Sequence, residues 1–143
     1  MLQLKQGLMA LGVSFLVVQP SLAQEEEELA PGYNACIADS GYSDFAMLDC
    51  VSSAYSYWDK VLNQNYKLAM QGCQDSEDPA KCRQILRQAE RHFVAYKEGI
   101  TDYLVLAAGG SAMGSLDRVS INYTLVLLTR QQAKVLAQYT GQN

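Results

Sequence analysis

The chain has 143 residues, with 11 Lys and Arg against 15 Asp and Glu, four Cys, three Pro and one His. That length fits a single domain. A net charge of −4 excludes the basic surface that a nucleic-acid binder needs, and one His with four Cys leaves few donors for a metal centre. Apolar residues make up 49% of the chain, enough material for a packed core and too much for a disordered chain.

Residues 1–23 read as a secretory signal peptide. Lys5 gives a positive start, Leu8 to Val18 form an apolar run, Pro20 breaks it, and Ser21-Leu22-Ala23 supplies small residues for cleavage after Ala23. The run is too short for a bilayer, which takes ~20 apolar residues, so the mature form is expected to have no membrane span. Export places the protein in the periplasm or outside the cell. Glu25 to Glu28 follow as four consecutive acids, and residues 24–32 are expected to be an acidic, solvated, disordered tail ahead of a nearly neutral domain over 33–143.

All four Cys lie beyond the signal peptide, where an oxidising compartment favours disulfides. Three pairings are open. Proximity in the chain, with each pair flanking an expected turn, favours Cys36–Cys50 and Cys73–Cys82. The spacings match no zinc pattern, and no metal or cofactor is expected.

No stretch alternates as strands do; helical periodicity dominates. Pro31 to Gly41 hold a short helical turn carrying Cys36. From Ser43, a candidate N-cap, one stripe runs Leu48, Val51, Tyr55, Trp58, Leu62, Ala69, Cys73, interrupted by Asn65, with Met47, Ala54, Val61 and Leu68 beside it; Gly72 marks the end. Asp78 with Pro79 is a strong start for the next helix. Its seam of Cys82, Leu86, Ala89, Phe93, Tyr96, Ile100, Tyr103 and Ala107 alternates steps of four and three, and Gly109-Gly110-Ser111 ends it. A third long helix begins near Gly114 or Ser115, with Leu116, Val119, Tyr123, Val126, Ala133 and Ala137 on one stripe and Ile121, Leu125, Leu128 and Val135 widening it. Short connections make sequential helices antiparallel neighbours. The expected fold is all-α: a small antiparallel bundle of three long helices and a short N-terminal one, stapled by two disulfides.

Catalytic residues are not found. His92 sits one residue off its helix seam, no nucleophile pairs with a base, and Glu90 and Glu98 lie over 10 Å apart at ~1.5 Å rise per residue. Asn122-Tyr123-Thr124 matches a glycosylation sequon but falls inside a helix. Two polar features stand out. Arg83, Arg87 and Arg91 recur at i, i+4, i+8 on one helix face, either as a binding face or as a solvated stripe paired with Glu90 and the acidic turn Asp75-Glu77-Asp78. Asp59, with Asn63 and Tyr66 near an apolar stripe, is expected to pair with Arg91 or Lys97 on the neighbouring helix.

These segments also resemble a known family. Trp58 to Tyr66 is similar to a D-x-x-L-N-x-x-Y signature through Asp59, Leu62, Asn63 and Tyr66. Leu86 to Glu98 is similar to L-R-x-A-Q-R-x-W-x-x-Y-R-D, and Gly109-Gly110-Ser111 followed by Leu128-Thr129-Arg130 and Leu136 to the closing segment. Together, from Cys36 to Leu136, the chain resembles the LprI-type lysozyme-inhibitor N-terminal domain family of small, exported, largely helical bacterial proteins. Glu90, Phe93, Lys97 and Glu98 depart from the signature's Gln, Trp, Arg and Asp. Cys36 and Cys50 fit the family's first two cysteines, whereas its later pair has no counterpart here. The resemblance singles out Asp59, Asn63, Tyr66, Arg91, Tyr96, Lys97, Thr129 and Arg130 as motif positions. It implies a non-enzymatic domain that binds another protein, a lysozyme or similar wall hydrolase. Acidic charge would steer a basic partner, although the glutamate run carries most of that charge. The rival expectation is a structural or stress-related cell-envelope protein. The sequence leaves the oligomeric state open.

Overall fold

In a computed structural model of the protein, residues 27–140 are described; the expected signal peptide and the first two glutamates of the acidic run lie outside them. Four α-helices follow one another: α1 Tyr33–Asp39, α2 Asp44–Gly72, α3 Pro79–Ala107 and α4 Ser115–Ala137, with single 3-10 turns at Cys73–Asp75 and Gly110–Ala112. No strand occurs among the described residues.

The helix ends follow from local chemistry. Asp78 accepts a hydrogen bond from the Lys81 backbone N–H at 3.0 Å, with Pro79 in the first turn where its missing N–H costs nothing. α3 stops where Gly109 takes φ +104°, a left-handed turn that side-chain-bearing residues resist. At the start of α4, Asp117 accepts the Gly114 N–H at 3.0 Å. Ser43 flanks α2 in extended conformation, but its hydroxyl makes no cap bond; the neighbouring Asp44 carboxylate instead accepts the Ser115 hydroxyl of α4.

That contact sets the starts of α2 and α4 side by side, and Asn65 of α2 donates to the Ala133 carbonyl of α4 at 2.9 Å further along. The two helices therefore run parallel, and their backbones approach more closely than any other pair. Small and β-branched residues permit this: Val51, Ala54, Val126, Thr129 and Ala133 are almost wholly buried. Asn65, which interrupts the apolar stripe, is a polar link across this seam. The buried Thr129 hydroxyl donates to its own helix at the Leu125 carbonyl, 2.8 Å away.

α3 runs antiparallel to both and buries none of its residues fully. Leu86 and Phe93 reach the second core cluster, built on Leu62, Ala133 and Leu136. Lys97 donates to the Tyr55 hydroxyl of α2 at 2.6 Å and lies 5.5 Å from the Phe93 ring centre. The seam expected on α3 is thus corrected. Leu86, Phe93 and Ile100 are half-buried, but Ala89, Tyr96, Tyr103 and Ala107 are exposed. The steps of four and three wander between two adjacent stripes, and only one of them meets α2 and α4.

The disulfides are Cys36–Cys50, tying α1 to α2, and Cys73–Cys82, closing the α2–α3 hairpin. The acidic tail expected over residues 24–32 is corrected from Glu27 onward. Leu29 and Ala30 are 5% and 4% exposed and join Val51, Ala54 and Val126 in the first core cluster. The segment Glu27–Gly32 is a docked strap, because two apolar residues following the glutamates find a slot between α2 and α4.

Candidate functional site

Two constellations carry the polar chemistry. The first is the strap anchor. The Trp58 indole N–H donates to the Leu29 carbonyl at 2.6 Å, and the Arg130 guanidinium lies 5.5 Å from the Trp58 ring centre. Glu27 reaches back to Arg130 at 2.5 Å and to Lys134 at 2.7 Å. The Lys134 hydrogen bond is the chief cause that holds the Glu27 carboxyl below the usual carboxylate range. Partial desolvation opposes it, and the Arg130 charge reinforces it. Glu28 accepts the Asn34 N–H at 2.7 Å, so two of the four consecutive acids serve the fold. Nearby, burial and the facing Tyr123, whose ring centre is 6.4 Å away, raise the Tyr33 phenol.

The second is an open groove between α2 and α3, about 580 Å³ in volume. Asn63 and Tyr66 line it from α2; Arg87, Glu90, Arg91 and Glu98 line it from α3, together with the apolar Val94 and Ala95. Arg87 and Arg91 are exposed. Glu90 also accepts from Gln132 of α4 at 3.3 Å.

The motif residues divide between these places. Tyr66 packs its ring on the second core cluster while lining the groove. Thr129 and Lys97 hold helices in place, and Arg130 holds the strap. Tyr96 is exposed and lies outside the groove. Of the arginine stripe, the structure brings Arg87 and Arg91 together in the groove; Arg83 is half-buried nearer the hairpin tip and does not join them. Among the described residues, no ion pair links these arginines to Glu90 or to the acidic turn. The pairing expected between Asp59 and Arg91 or Lys97 is corrected. Among the described residues Asp59 accepts only the Asn63 amide of its own helix, at 3.2 Å, because Lys97 is committed to Tyr55 and Arg91 faces the groove.

The strap anchor was missed in the sequence. Its signals were Leu29-Ala30 immediately before Pro31, together with an aromatic Trp58 and a basic Arg130 that had no assigned partner. No group of His, Cys, Asp and Glu among the described residues could hold a metal, and no described helix is long and apolar enough to cross a membrane.

The arrangement defines a class: a disulfide-stapled helical bundle offering a polar groove between α2 and α3. The family model described as Lysozyme inhibitor LprI matches residues 36–136, spanning the bundle from α1 to the end of α4. The chain belongs to that family. Comparison with curated proteins and with solved structures gives no match.

Proposed function

We propose that this protein is an exported, non-enzymatic inhibitor that binds a lysozyme-type wall hydrolase through the α2–α3 groove. Family membership over the whole bundle carries the reading. The groove adds chemistry. Glycoside hydrolases generally work with a pair of carboxylates flanking the scissile bond. Arg87 and Arg91, one turn apart and exposed, offer two guanidinium forks for such a pair. Two disulfides fit the oxidising compartment in which such an enzyme is met. With Glu27 and Glu28 occupied by the fold, acidic steering has less free charge to act with, and the contact rests on the arginines.

The test is inhibition of a lysozyme by the purified, oxidised protein at low and high salt. Inhibition is expected to weaken with salt, and Arg87→Ala/Arg91→Ala is expected to lower it at least tenfold with Tm unchanged. A wild-type protein that neither binds nor inhibits would overturn the inhibitor reading. Equal inhibition by the double variant would overturn the assignment to the groove.

A further inference from the structure

The face of α3 turned away from the groove has an unspent pattern. Ile85, Ala89, His92, Tyr96, Gly99, Tyr103 and Leu106 recur at steps of four and three through the helix, and all seven are exposed. Ile85 is 56% exposed, Tyr96 55%, Tyr103 63% and Leu106 75%. The seam spans ~32 Å at a rise of about 1.5 Å per residue. Such a row is what one helix presents to another in a coiled-coil-like pair. Gly99 is the odd member. Glycine is a poor helix former, yet a Cβ built there meets nothing within 4 Å, so nothing among the described residues asks for the gap. Ile85 and Ala89 also form one wall of an apolar cleft of about 440 Å³, lined on the other side by Leu136 of α4 and by Tyr139 just beyond its end.

We propose that this seam is a self-association surface on which a second copy of the chain packs its α3 antiparallel, about a two-fold axis between Lys97 and Glu98. The axis is fixed by size. It sets Tyr96 over the gap at the partner's Gly99, and Leu106 against the partner's Ala89, where the apolar cleft receives it. His92 then faces the partner's Tyr103. Two of the three pairs set a large side chain against a small one or an opening, and each pair occurs twice, as an isologous interface requires. A parallel pair would stack Tyr96 on the partner's Tyr96 and leave Gly99 facing the partner's Gly99.

Light scattering coupled to gel filtration, run on the purified oxidised protein over a range of concentrations, reads the mass directly. The wild type is expected to run at twice the chain mass. Gly99→Leu fills the gap with a better helix former, so it is expected to halve the mass while leaving Tm equal or higher, an outcome that damage to the fold would not give. Tyr96→Glu should do the same. Ala89→Cys/Leu106→Cys should give a covalent dimer under oxidation, and neither single variant should. A monomeric wild type at every concentration, or a Gly99→Leu protein that stays dimeric, overturns the proposal. A covalent dimer from Tyr103→Cys alone, rather than from the Ala89/Leu106 pair, overturns the antiparallel register.

Discussion

Glu27 shows how much one side chain can report. The protein has a single tryptophan, and its indole N–H is bonded to the strap that Glu27 fastens. Because the folded carboxyl is held below its ordinary range, ionised Glu27 favours the docked strap. That contribution is complete above the ordinary carboxylate value and fades as pH falls through the depressed one. Tryptophan fluorescence should therefore show an acid transition below the usual Glu range, reporting loss of the Trp58–Leu29 contact. In Glu27→Gln the transition should vanish, with the neutral-pH spectrum already shifted toward the acid form. An unchanged acid transition in Glu27→Gln would assign it to another group. The same residue explains a failure of reading from sequence. Four glutamates in a row are normally solvated charge, and nothing local distinguishes the two that are used. The Glu27 partners Arg130 and Lys134 lie on α4, a separation in the chain that only the fold closes.

At the scale of elements, the helices were legible because their ends are written locally: Pro79 behind Asp78, and Gly109 after Ala107. What was not legible was how each helix is turned. The α3 steps of four and three fit two neighbouring stripes, and only packing selects between them. Nor could spacing show that α2 and α4, which are not sequential, form the tightest pair. These two features make α3 the least secured of the three long helices. Side chains hold it along its length, and the Cys73–Cys82 bridge holds it at the hairpin. Closing that loop contributes about 2–3 kcal/mol in the chain-entropy description. Cys73→Ala/Cys82→Ala should lower stability by about that amount. The loss should also be local: amide exchange in α3 should accelerate while the amides at the α2–α4 contact, around Val51 and Val126, stay protected. Uniform acceleration in all three helices would show instead that the bundle opens as one unit.

For the whole molecule, the decisive property is that α3 has two free flanks. The groove flank carries Arg87, Arg91 and Glu98; the other carries Tyr96, Gly99 and Tyr103. At about 100° per residue these rows stand well apart around the helix axis, with the half-buried row of Leu86, Phe93 and Lys97 between them on the core side. If the groove holds a hydrolase and the seam holds a second copy, the two contacts should be independent to within a few tenths of a kcal/mol, as distant sites are. Gly99→Leu should then yield a monomer that still inhibits with wild-type strength per chain. Arg87→Ala/Arg91→Ala should yield a dimer that no longer inhibits. Titration of wild type should saturate at one hydrolase per chain, both grooves of the dimer being open. Half that stoichiometry, with full stoichiometry restored in Gly99→Leu, would mean that the two surfaces overlap and that self-association competes with binding of the enzyme.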